Sequence, residues 1–300
     1  MLNWWSSLMA GRGGRASMLD VYVESRPHFL QAKAYILGHA LSHLQSAGVS
    51  CRVLDRLDPQ SLGRAAVVHV DLTELPPPFE HVHHLYERCL NGQALSINRR
   101  AYSRARLARD SDWDGPVIVK SALNHRGRPE LRLAMERGLL RGGSARARQA
   151  LRERLCPAYA LHASAAEVPE AAWDDPARVV ERFLPGRLET PVVKHRYDFM
   201  LDVELHTRAS FDSLLCEPAS MTRVDFLEDA PAAVRELRQS LRLDFGSIDY
   251  FMVDGEAWPV DANKTTTFTR AWTDQHPEVA RFLDAVAQRL VAYARGQDRA

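Results

Sequence analysis

The stretch IDYFMVDGEAWPVDANKTTT, residues 248–267, carries Asp249, Asp261 and Asn263 within two short apolar runs. The runs IDYFMV and AWPVDAN flank Asp254-Gly255, a dipeptide that favours a tight hairpin turn, so the pattern predicts two paired antiparallel strands. Asp249 then lies near the start of the first strand, and Asp261 and Asn263 near the end of the second, so the three meet at one end of the hairpin. Residues two apart on a strand share a face, which places Asp261 beside Asn263. Pro259 suits such a strand at a sheet edge. Two carboxylates and an amide oxygen, with no cysteine or histidine among them, are hard donors that suit magnesium together with water and phosphate oxygens. The same acids also suit an ordinary surface hairpin in which they cap strand ends.

Two further clusters bear on that choice. In GPVIVKSALNHRGRPE a strand, PVIV, delivers Lys120 at its end, followed by a polar loop with Asn124 and Gly127. A lysine so placed can set its ammonium on a phosphate while loop N–H groups cover the rest. A strand followed by a surface turn would instead leave Lys120 solvated. In VVERFLPGRLE, Glu181, Arg182, Phe183 and Leu184 run into Pro185-Gly186, as a strand enters a hinge. Backbone groups walled by Phe183 and Leu184 could bond an adenine edge, and Glu189 could accept from ribose hydroxyls. The segment also reads as a core strand ending in a turn. Among 39 basic residues only four are lysines, Lys33, Lys120, Lys194 and Lys264, so each is a candidate for a position that needs a compact ammonium.

The elements that must position these groups follow from periodicity. LDVYVE reads as a strand, PHFLQAKAYILGHALSHLQSAG as one amphipathic helix, and CRVLD and AAVVHVDLT as two more strands. Residues 18 to about 75 thus predict a small α/β layer of parallel strands, closed by Pro76-Pro77-Pro78. SINRRAYSRARLARDSD reads as an arginine-rich helix, Leu131 to Arg154 as helical, RYDFMLDVELHTR as antiparallel strands, Pro231 to Leu243 as a helix, and HPEVARFLDAVAQRLVAYAR as a closing amphipathic helix.

The order of these parts resembles the ATP-grasp superfamily, in the branch of glutathione synthetase, RimK-like and D-alanyl-D-alanine ligases. The resemblance rests on the lysine-bearing strand and loop, the acidic-hydrophobic hinge, the arginine-bearing antiparallel strands and the G-x-I-D hairpin ending in D-x-N. It covers roughly Ser96 to Arg295. It implies a mixed α/β and α+β architecture: a loose tail over 1–17, a small Rossmann-like pre-ATP-grasp domain over 18–95, and an ATP-grasp domain over 96–300 with ATP between two subdomains. By position, Lys120 and Arg104 would contact phosphates, and Glu181, Phe183 and Leu184 would hold adenine, with Glu189 at the ribose. Asp249, Asp261 and Asn263 would hold magnesium or manganese, and Arg196 and Arg208 would face the γ-phosphate or an acylphosphate. The implied reaction is ATP-dependent joining of a carboxylate to an amine or a thiol, with ADP and phosphate released. The alternatives are a nucleotide-binding regulatory module without chemistry, and a phosphotransferase.

The chain departs from the family pattern at three places. Ser247 stands where several of these ligases carry an arginine, the loop NHRGRPE has few glycines, and Lys264-Thr265-Thr266-Thr267 replaces a proline- or serine-containing turn. Lys264 and its threonines could recognise an anionic substrate or form part of a plain turn.

Composition narrows the partners. A formal net charge of +1, with 46% hydrophobic and 26% charged residues, describes a soluble globular chain with no global attraction to nucleic acid or acidic membranes. Small carboxylate and amine substrates are the expected partners, with a homodimer allowed. Cys51, Cys89, Cys156 and Cys216 lack CxxC spacing and suit reduced thiols in a cytoplasmic protein. The leader MLNWWSSLMAGRGGRAS lacks the basic region and long apolar run of a signal peptide. HVHHLYERC, with His81, His83, His84 and Cys89, reads as a helix surface rather than a metal cluster, because no spaced partner pair follows. His39 and His43 share a helical face and read as structural. RGGSARARQALRER lacks interleaved aromatics, so it reads as a solvated helix or a lid rather than a nucleic-acid patch.

Overall fold

The computed structural model describes residues 17–32, 34–57, 63–138, 143–186 and 188–297. Residues 1–16 of the tail expected over 1–17, and Lys33, lie outside the described residues. The first layer comprises β1 (Met18–Tyr22), α1 (Arg26–Gln31), α2 (Ile36–Ser46), β2 (Ser50–Leu54), β3 (Ala65–Val68) and β4 (Arg88–Leu90). Its four strands are parallel in the order β2-β1-β3-β4. The strand β4, beyond the prolines, is an addition to the expected layer; three residues without alternation carry almost no periodic signal.

The single long helix expected over residues 27–48 is two helices. Backbone groups between them are taken by a distant segment: Ile36 N donates to Thr266 O at 3.2 Å and Phe268 N to Ala34 O at 2.9 Å. This tertiary pairing outweighs local helix propensity. The arginine-rich helix expected over residues 96–112 shrinks to one turn, α3 (Arg99–Tyr102). Past it the chain runs extended beside a later strand, with Leu107 N donating to Val180 O and Arg182 N to Ala105 O.

A second layer follows: β5 (Val117–Ser121), α4 (Arg128–Glu136), α5 (Ala145–Leu155), β6 (Ala160–His162), α6 (Glu170–Asp174) and β7 (Arg178–Arg182). Its strands form an antiparallel sheet in the order β6-β5-β7. The helical region expected over 131–154 is thus α4 and α5, and Arg141 and Gly142 of the arginine-rich stretch lie outside the described residues. The α5 helix has no buried residue.

The third layer holds β8 (Val192–Met200), β9 (Val203–Phe211), β10 (Met221–Leu227), α7 (Ala232–Ser240), β11 (Phe245–Val253) and β12 (Glu256–Asn263), an antiparallel sheet ordered β10-β9-β8-β11-β12. Asp254 and Gly255 have φ of 50° and 83°, the left-handed pair a tight hairpin turn requires. The edge strand β12 carries Pro259. The chain closes with α8 (Arg270–Gln275) and α9 (Pro277–Arg295). Val279, Phe282, Leu283, Val286 and Leu290 of α9 are buried at helical spacing. They join Leu19, Val21, Leu37 and Leu44 in one core, so the last helix covers the first sheet. Among the described residues no helix is long and apolar enough to cross a membrane.

Candidate active site

The β11-β12 hairpin sets the centre of the site. In register, Asp249 faces Asp261 on one side and Arg196 of β8 on the other, and Ser247 faces Asn263 and Asp198. Directly opposed residues in an antiparallel sheet share a face. Asp249, Asp261 and Asn263 therefore line one surface with Arg196, and Lys194 joins them two residues earlier on β8. Between Asp249↔Asp261 and Tyr250↔Pro259 the register slips by one residue, which makes Val260 the extra residue of a bulge. The Val260 carbonyl accepts a hydrogen bond from Lys120 Nζ at 3.1 Å. Through this contact β5 of the second layer reaches the hairpin of the third.

Lys120 also stands 2.6 Å from Glu181 Oε2, a pair whose side chains are 10% and 1% exposed. That degree of burial makes each group depend on the other for charge compensation. Glu181 Oε1 is buried with no hydrogen-bond partner. Lys120, Glu181, Phe183, Leu184, Asp249 and Asp261 line one cleft between the second and third layers, closed on another side by Leu214, Leu215 and Cys216. Burial pushes the Cys216 thiol up to about 11, despite the nearby Lys194 ammonium.

Charges in the cleft come in facing pairs. Lys194 Nζ donates to Asp249 Oδ2 at 2.7 Å, and Arg196 Nη1 lies 3.8 Å from Asp249 Oδ1. Burial opposes the charged form of Asp249, but the two cations outweigh it and hold the carboxyl below the usual carboxylate range. Burial likewise opposes the charged Lys194, and Asp249 reverses the balance to raise its pKa. Arg196 is fixed by bonds to both oxygens of Asp198 and to Thr266 Oγ1, the last at 2.6 Å. Arg99, at 3% side-chain exposure, pairs with Asp261 at 2.5 Å and donates to the carbonyls of Ser121 and Leu123. Asn263 Nδ2 meets His125 Nε2 at 2.8 Å, and its Oδ1 accepts from Thr265 N at 2.9 Å.

Three residues expected at the site stand elsewhere. Arg208 is the register partner of His195, the neighbour of Arg196, so it projects from the opposite sheet face and pairs with Asp225 at 2.8 Å. Arg104 is half exposed, 3.6 Å from Glu256 at the turn end of β12, and packs over Trp258. The segment 99–104 runs alongside β12, so Arg99 reaches the Asp261 end and Arg104 the other. Glu189 is exposed and apart from the cleft-lining side chains.

Lys194 and Arg99 are the site cations that sequence reasoning did not assign. The scarcity of lysine was a usable signal, since Lys120, Lys194 and Lys264 all lie in or beside this region. Lys264 is 2% exposed, donates to Thr73 O at 3.5 Å, and is pushed down to about 8, chiefly by burial. Thr265 bonds Asp71 at the end of the first sheet.

The loop after β5 needs its single glycine. His125, Arg126 and Gly127 all have positive φ, and a Cβ on Gly127 would fall 1.8 Å from the Leu155 carbonyl oxygen. His83 and His84 belong to a short 3-10 turn, Val82–His84, with rings 3.8 Å apart, and Cys89 lies in β4, so the expected helix surface is a turn and a strand.

No protein-family model and no curated protein matches the chain. Solved structures do. The ATP-grasp ligase PsnB, complexed with a phosphomimetic variant of minimal precursor, Mg and ADP, is 13% identical over 93% of this chain and 99% of that chain, with a TM-score of 0.53. A RimK domain ATP-grasp protein from Sphaerobacter thermophilus DSM 20745 is 11% identical over 90% and 99%, at a TM-score of 0.45. D-alanine–D-alanine ligase from Bacillus anthracis is 10% identical over 91% and 98%, also at 0.45. The architecture of three layers, with a cleft between two antiparallel sheets, is the ATP-grasp fold.

Proposed function

On the premise of an ATP-grasp fold, we propose that the chain is an ATP- and magnesium-dependent ligase that joins a small carboxylate to an amine, or to a thiol, through an acylphosphate. The observation that carries this reading is the convergence of Lys120, Arg99, Lys194 and Arg196 with Asp249 and Asp261 around one cleft. A site of paired cations and carboxylates is suited to a polyanion and its counter-ion, and among the described residues it shows no hydrogen-bonded nucleophile-base pair that would suggest a triad.

The donors fit the implied cation. Asp249 and Asp261 are register partners, Asn263 shares their face, and all three offer oxygen, the donor preferred by magnesium or manganese. Bound there, the ion supplies charge neutralisation on phosphate oxygens. The chain's own groups do the rest. Lys120, Arg99 and Lys194 exchange a carboxylate partner for phosphate oxygen, which frees Asp249 and Asp261 as acceptors. Arg196, held rigid by Asp198 and Thr266, steadies charge where the γ-phosphoryl group transfers. The unpaired Glu181 Oε1 accepts from a donor such as the adenine amino group, between Phe183 and Leu184.

In the reaction a substrate carboxylate oxygen bonds to the γ-phosphorus as the bond to ADP breaks. The amine then attacks the acyl carbon and phosphate leaves. The test is release of ADP and phosphate with a panel of carboxylates, amines and thiols. A ligase requires both co-substrates. A phosphorylated product from a hydroxyl substrate alone would convert the reading to a phosphotransferase, and nucleotide uptake without turnover to a regulatory module.

A further inference from the structure

We infer that His39, His43 and Asp284 form a second metal site, separate from the cleft, which takes a borderline transition-metal ion with zinc as the best fit. His39 and His43 are four residues apart on α2, the spacing that stacks side chains on one helical face. Their ring centroids are 5.0 Å apart. Asp284 comes from α9, whose apolar stripe packs on that of α2 through Leu37, Leu44, Val286 and Leu290. That packing fixes the carboxylate opposite the two imidazoles, and the three donor atoms lie within 4.8 Å of one another.

The distances suit ligation better than a direct bond. His39 Nε2 and Asp284 Oδ1 are 3.9 Å apart, too far for a hydrogen bond. Two ligands each about 2 Å from one tetrahedral ion stand roughly 3.4 Å apart, so small rotations of exposed side chains would close the set. Among the described residues neither imidazole has a side-chain hydrogen-bond partner that such a rotation would break. Two nitrogens and one oxygen leave a fourth position for water. Imidazole donors favour zinc, copper or nickel over magnesium, so this site and the all-oxygen set in the cleft select different ions. The ion would clamp a helix of the first layer to the last helix of the chain, and neither helix carries a residue assigned to the cleft.

The test uses the full chain, with excess magnesium present to occupy hard-donor sites. Calorimetric titration with zinc alone should give one tight event per chain, and cobalt in its place should give the visible absorption bands of a four- or five-coordinate ion. Zinc should also raise the thermal midpoint of the wild type. His43→Ala and Asp284→Ala, both surface changes, should each weaken zinc binding by about tenfold or more and abolish the cobalt bands and the thermal shift. Zinc affinity unchanged in His43→Ala, or no zinc uptake by the wild type, overturns the assignment.

Discussion

Lys194 Nζ donates to Asp249 Oδ2 at 2.7 Å, so the carboxylate proposed to hold the divalent cation is held by an ammonium from the adjacent strand. A cation binding there must displace a charge-assisted bond worth about 1.5–3 kcal/mol. Lys194→Met removes that competitor while Arg196 remains nearby. The variant should therefore bind manganese about tenfold more tightly than the wild type, read from the free-ion resonance signal, and bind nucleotide more weakly. Equal manganese affinity in both proteins would remove Asp249 from the metal site.

Lys120 and Glu181 are mutually dependent. Replacing Lys120 alone with Met leaves a buried carboxylate without its cation, which should cost about 3–5 kcal/mol of stability. The paired change Lys120→Met with Glu181→Gln should recover most of that loss, because neither remaining group carries a charge. Nucleotide binding should fail in both variants. Denaturant unfolding separates the two effects. If the double variant were as unstable as the single one, the pair would not be the cause of the loss.

Arg99, not Arg104, is the cation of its segment that faces the cleft. Arg104→Ala should leave nucleotide affinity within about twofold of wild type, since it removes an exposed ion pair of small energetic weight. Arg99→Lys keeps the charge but loses the fork that joins Asp261 to the Ser121 and Leu123 carbonyls, and should weaken binding by about tenfold or more. The reverse order of effects would restore Arg104 to the site.

These residues show what local sequence can and cannot reveal. The hairpin was legible because its turn and alternation are local: Asp254-Gly255 fixes the reversal and brings the ends bearing Asp249 and Asp261 together, whereas the bulge at Val260 that makes the two acids register partners has no local signal. Arg208 was misplaced because its face depends on the β8-β9 register, which nothing inside either strand specifies. Arg104 is expected at the phosphates from a segment that reads as a helix, whereas beyond Tyr102 the chain runs extended beside β7, bonded to it through Val180 and Arg182. The break between α1 and α2 was invisible for the same reason, since its cause lies at Thr266 and Phe268. Lys194 was visible only as a rare residue type, and its partner became evident only once β8 was laid beside β11.

Buried histidines, chiefly His69 and His195, should make the fold acid-sensitive. His69 is 1% exposed, its Nε2 has no partner, and burial pushes its pKa down from 6.5 to about 4, against the pull of Asp71. His195 is pushed down to about 4 by burial first, then by His206 and Arg208. In the unfolded chain both take up a proton near pH 6.5, and in the folded chain only near pH 4. The unfolded state thus binds more protons in that window, so stability is full above pH 6.5 and falls as pH drops towards 4. The fully buried His69 should account for about 3 kcal/mol of the fall. Phe29, Tyr35 and Phe245 surround its ring, so His69→Phe should be accommodated and should make the pH dependence clearly shallower, leaving the part due to His195 and the other depressed imidazoles, such as His206. Urea unfolding at a series of pH values reads this directly. A slope identical to wild type in His69→Phe would mean that the histidine is protonated, or hydrated, in the native state.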